Sequence, residues 1–150
     1  MNYVEHKYCF ILTFKLIGKI NTNINEKIVV SSDHKVIKES RIIIICIGTP
    51  VDEYLNPKLK QFFDLIYDLK KLITKNQTII IRSSVYPQTC ERLKNILNNN
   101  IAYCPERIVQ GSAIKEMSKL PQIISGFTDK SIKESKNVFS KISKKIIITS

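Results

Sequence analysis

The chain has 150 residues, 43% of them hydrophobic, and a formal net charge of +11. That length suffices for one domain with a proper core and is too short for two substantial ones. The longest apolar stretch, Ile42 to Gly48, falls far below the roughly 20 residues that span a bilayer. No basic region precedes a hydrophobic one at Met1 to His6, so a cytoplasmic protein without a membrane partner is expected.

The charge comes from 20 lysines spread along the chain and four arginines, Arg41, Arg82, Arg92 and Arg107. Specific base readout leans on the arginine fork, and the aromatic residues do not interleave with a basic stripe. Nucleic acid is therefore not an expected partner. Cys9, Cys46, Cys90 and Cys104 form no C-x-x-C pair, and His6 and His34 add no metal-ligand spacing. No metal is expected, and the thiols are read as reduced.

In chain order, residues 1–27 are an uncertain opening: Tyr8 to Ile20 suits either a strand or a helix, and residues 21–25 read as polar linker. From residue 28 the signals alternate. Ile28 to Val30 is a short candidate strand, and Ser32-Asp33 caps a helix over Lys35 to Ser40. Ile42 to Ile47 is apolar throughout and mostly β-branched, the mark of a strand buried on both faces. Asn56 and Pro57 start an amphipathic helix whose apolar positions are Leu59, Phe62, Phe63, Ile66, Leu69 and Ile73. Thr78 to Arg82 is a strand, Gln88 to Leu97 a helix and Ile101 to Cys104 a strand. Gln122 to Gly126 is another strand, followed by a helix over Asp129 to Ile142 with Ile132, Val138, Phe139 and Ile142 inward. Ile146 to Thr149 is the last strand. This alternation predicts an α/β fold, a partial Rossmann-like parallel sheet with crossover helices.

Three of these strands end alike. The first runs into Gly48-Thr49-Pro50, the second into Ser83-Ser84-Val85-Tyr86-Pro87 and the third into Cys104-Pro105-Glu106-Arg107. Ligands of open parallel sheets bind outside the carboxyl ends of the strands, so the three clusters suggest one rim of a cofactor crevice.

The motifs Ile44-Ile45-Cys46-Ile47-Gly48-Thr49-Pro50, Arg82-Ser83-Ser84-Val85-Tyr86-Pro87, Ala102-Tyr103-Cys104-Pro105-Glu106-Arg107-Ile108 and Leu120-Pro121-Gln122-Ile123-Ile124-Ser125-Gly126 resemble successive motifs of the UDP-glucose/GDP-mannose dehydrogenase family. They are most similar to its UDP-N-acetylmannosamine branch. The resemblance covers residues 28–150, read as part of an NAD-binding domain. It implies an NAD-dependent oxidation of a UDP-sugar C6 alcohol to the uronate, through a covalent thiol adduct, for surface polysaccharide synthesis. It also implies roles at matching positions. Thr49 contacts NAD. Ser84 lies near the nicotinamide and a catalytic water. Glu106 is the acidic residue that orients or deprotonates the water hydrolysing the thioester. Arg107 and Ile108 touch the nucleotide-sugar. A homo-oligomer fits the family's habit.

The departures are as specific. None of the glycines, Gly18, Gly48, Gly111 and Gly126, forms the G-x-G-x-x-G turn that lets a backbone approach a pyrophosphate. None of the four cysteines matches the family's nucleophile. Gln88 stands where the family commonly has glycine. The expectation is a fragment truncated at both ends that does not turn over alone; the alternative is a non-catalytic nucleotide-sugar binding or interaction module.

Overall fold

The computed structural model describes residues 33–47, 59–107 and 119–149, together with the backbone of 8–12. Among the described residues six strands, β1 (Tyr8–Leu12), β2 (Ile42–Cys46), β3 (Thr78–Ile81), β4 (Asn100–Tyr103), β5 (Gln122–Gly126) and β6 (Ile146–Thr149), form a single sheet in that order. The opening segment thus supplies a strand. β1 lies parallel to β2 from Tyr8↔Ile42 to Leu12↔Cys46. The expected strand at 28–30 and the helix start at Asn56-Pro57 lie outside the described residues.

The parallel sheet expected from the sequence holds for β1 to β4 and for β5 with β6. Between β4 and β5 the direction reverses, with Ala102↔Gly126 and Tyr103↔Ser125 as the register pairs. β5 sets out from the edge where β4 ends, and a strand that begins where its neighbour finishes must run back along it.

Alternate side chains of each strand enter opposite cores. Ile43, Ile45, Ile79, Ile81 and Ile101 face helices α1 (Leu59–Lys70) and α2 (Thr89–Leu97). On α1 the buried residues are Phe62, Phe63, Ile66 and Leu69, at the spacing the sequence predicted. Ile42, Ile44, Ile80, Ala102 and Ile124 face Phe139 of helix α3 (Asp129–Phe139).

Three local expectations change. The helix expected over 35–40 is a 3-10 turn, His34–Glu39, that buries Ile37; the Gln77 amide binds the carbonyls of Ile37 and Ser40 and holds this short segment against β3. Helix α3 stops at Phe139, three residues early, and Ile142 is 41% exposed instead of inward. Its buried face is Ser131, Glu134, Ser135 and Phe139, with Ile132 and Val138 packed partly buried against the core beside Phe139. A capping box joins Thr128 and Ser131 at its start. Gly126 lies so close beneath that turn that a Cβ there would sit 2.6 Å from Ser131 Oγ.

Candidate functional site

Ile45, Ile81 and Tyr103 occupy one row of the sheet, and beyond that row the chains stay paired. Arg82 N–H donates to Ile45 O (2.9 Å), Cys104 N–H to Ile81 O (2.8 Å) and Glu106 N–H to Arg82 O (3.0 Å). Ser84 and Glu106 each follow the row by three residues and so lie past the carboxyl ends of β3 and β4. The two serines divide their work. Ser83 is buried, and its Oγ accepts the Ile47 N–H at 2.8 Å, stitching β2 to β3. Ser84 is exposed.

Glu106 is tied down by a residue that sequence reasoning did not single out. Arg82 donates through Nη2 to Glu106 Oε2, and through Nη1 to Gln122 Oε1 (3.0 Å) and Cys104 O (3.3 Å). Its guanidinium carbon sits 4.8 Å from the centre of the Phe139 ring. The signal was present in the chain: an arginine directly after a strand buried at every position needs partners, because an unpaired charge there is costly. Glu106 Oε1 accepts the Arg107 N–H at 2.9 Å. The Arg107 guanidinium donates to the carbonyl of Pro121, bridging the segment after β4 to the start of β5. Arg82, Glu106, Arg107, Pro121, Gln122 and Ser143 line a shallow cleft. Thr49 and Ile108 lie outside the described residues.

Thiol chemistry is disfavoured here. Burial pushes the Cys104 thiol up to about 12 and Cys90 up to about 11. Burial also raises Cys46, more than the nearby Arg82 charge lowers it. Thiols held protonated in this way are poor nucleophiles. Among the described residues no group of His, Cys, Asp and Glu could hold a metal ion, and no helix is long and apolar enough to cross a membrane.

The family model of the UDP-glucose/GDP-mannose dehydrogenase NAD-binding domain matches residues 2–146. The chain belongs to that family. The match takes in β1 as well as the motif-bearing strands. UDP-N-acetyl-D-mannosamine dehydrogenase of Methanococcus aeolicus is 29% identical over 112 residues, covering 69% of this chain and 26% of the relative. UDP-glucose 6-dehydrogenase of Rickettsia felis is 30% identical, covering 71% and 24%. The solved structure of the UDP-D-ManNAc dehydrogenase from Pyrococcus horikoshii superposes with a TM-score of 0.74 at 25% identity, covering 83% of this chain and 32% of that one. The chain spans about a quarter of the length of the relatives it matches.

NAD is the cofactor of this domain, and the residues present fit it unevenly. Ser84 offers an exposed hydroxyl at the end of β3. β1 ends at Leu12, level with Cys46, so it opens on the same edge. A pyrophosphate cradle would follow such a strand, yet Thr13-Phe14-Lys15-Leu16-Ile17-Gly18 carries one glycine. Side chains on the preceding five residues do not suit close approach of backbone N–H groups to a diphosphate.

Proposed function

We propose that this chain forms one wall of the active site of a nucleotide-sugar 6-dehydrogenase, acting on the C6 alcohol of UDP-N-acetylmannosamine in the supply of surface polysaccharide precursors. Glu106 carries the reading. Its carboxylate lines a cleft together with Arg107, where it can orient or deprotonate the water that releases the uronate. Ser84 hydrogen-bonds to that water or to the cofactor amide. Arg107 meets a phosphate or the acidic product by exchanging the Pro121 carbonyl for a charged acceptor. Thr49 and Ile108 add cofactor and substrate contacts from the flanking segments.

The second reading is a nucleotide-sugar binding module without turnover. The protonated thiols of Cys90 and Cys104 and the glycine-poor segment after β1 favour it for the 150-residue chain taken alone. Calorimetry with UDP-N-acetylmannosamine, UDP-glucose and NAD tests both readings. The expected result is binding of UDP-N-acetylmannosamine in preference to UDP-glucose, weakened about tenfold by Arg107→Ala, the loss of one charged hydrogen bond. No NADH should form. Sustained NADH formation would exclude the binding-only reading, and absence of binding to any of the three ligands would overturn both.

A further inference from the structure

We propose that Arg82 is a positioning residue for Glu106, holding its carboxylate at the cleft and coupling it to β5 and α3. This rests on the reading of Glu106 as the group that handles the water. Arg82 is the buried member of the pair, its side chain 12% exposed against 39% for Glu106. One guanidinium reaches Glu106, the Cys104 carbonyl, Gln122 at the start of β5 and the ring of Phe139 at the end of α3. Glu106 Oε2 meets Arg82 and Oε1 meets the Arg107 N–H. With a donor on each oxygen the carboxylate plane is fixed at the cleft.

The backbone reinforces the side chain. The carbonyl of Arg82 accepts the N–H of Glu106 at 3.0 Å, so Arg82 sets both the main chain and the carboxylate of its partner. The planar fork matters. A lysine ammonium cannot serve Gln122 and Glu106 from opposite arms while lying against Phe139. A shift of β5 or α3, as a ligand enters beside Pro121 and Gln122, would therefore move the Glu106 carboxylate through Arg82.

Carboxyl carbon NMR of the 150-residue protein tests the assignment, with the Glu106 resonance identified by its loss in Glu106→Gln. In Arg82→Met that resonance should move, and its response to added UDP-N-acetylmannosamine should disappear. Arg82→Lys should keep the fold and restore neither property fully. Ile79→Val, a mild change in the opposite core, should lower stability while leaving the resonance in place. An unchanged Glu106 resonance in folded Arg82→Met would overturn the proposal, as would an equal displacement in Ile79→Val. If Arg82→Met does not fold, Arg82→Lys decides: a wild-type resonance and ligand response there would overturn it. A wild-type Glu106 resonance unmoved by the UDP-sugar, with no binding by calorimetry, would refute the functional reading instead. The dependence of the resonance on Arg82 would still report whether the two residues are coupled.

Discussion

Two arginine–glutamate pairs lie at opposite ends of β3, and their burial is reversed. At the amino end Arg41 is 61% exposed and Glu134, on α3, is 6% exposed. At the carboxyl end the arginine is the buried partner and the glutamate the exposed one. The buried member of such a pair is committed to the fold, because its side chain packs away from water and deleting it loses that packing together with its charged hydrogen bonds. The exposed member keeps its contact with solvent. The same two residue types thus make a latch at one end of the strand and a presented carboxylate at the other.

Glu134 accepts from Arg41 Nη2 at 2.7 Å and Nε at 3.1 Å, docking α3 against the residue before β2. Its loss should have the largest effect. Glu134→Ala is expected to cost about 3 kcal/mol, since it removes charged hydrogen bonds from a buried site and leaves a small cavity. Arg41→Ala should cost less, about 1–2 kcal/mol, because water can partly replace the exposed guanidinium. Urea unfolding of both variants checks the order, and an equal or reversed ranking would break the contrast.

The carboxyl end should show the opposite ranking with smaller effects. Arg82→Met is expected to cost about 2 kcal/mol, because Cys104 O and Gln122 lose a donor in a partly buried cleft. Glu106→Gln should cost under about 1 kcal/mol, in the range of solvent-exposed ion pairs. If Glu106→Gln proves the more damaging of the two, the glutamate belongs to the fold and is not held out for a ligand.

Acid sharpens the contrast further. Burial would raise the pKa of Glu134, but the neighbouring Thr78 hydroxyl, the Arg41 hydrogen bonds and the charges of Arg41 and Lys130 outweigh it, and the net shift is below the usual 4.5. The folded state therefore binds the Glu134 proton less readily than the unfolded chain does. Its contribution is complete above about pH 4.5 and is lost as pH falls through the lower folded value. The stability gap between wild type and Glu134→Gln should narrow over that interval, measured by urea titrations at successive pH values. A gap that stays constant would assign the effect to packing instead of charge.

The two ends also differed in how far the sequence disclosed them. Strand and helix order followed from runs such as Ile42 to Ile47 and from the spacing of Phe62, Ile66 and Leu69, where apolar pattern and burial agree. The placement of the ends of β2, β3 and β4 on one edge followed from parallel pairing. The Glu134 latch was hidden because α3 buries Ser131, Glu134 and Ser135, so hydrophobic periodicity pointed to Ile142 instead. The reversal at β5 was hidden because strand pattern carries no direction. Arg82 was hidden because its partners, Glu106, Gln122 and Phe139, are 24, 40 and 57 residues away along the chain.

The smallest expected effect comes from a local cost in the loop between Ser84 and α2. Gln88 precedes α2 with φ 67° and ψ −9°, and its side chain makes no capping hydrogen bond. Left-handed backbone costs a residue with a Cβ roughly 1–2 kcal/mol, while glycine in the unfolded chain forfeits about 0.5–1 kcal/mol of that gain through its greater freedom. Gln88→Gly should therefore stabilise the protein by about 0.5 kcal/mol, read as a higher urea midpoint at unchanged m-value. It should also leave the Glu106 carboxyl resonance unmoved, because Arg82 and the Arg107 N–H fix that carboxylate. A lower midpoint would mean that the Gln88 side chain supports the loop, and a displaced Glu106 signal would extend the positioning network beyond Arg82 into the turn that carries Ser84.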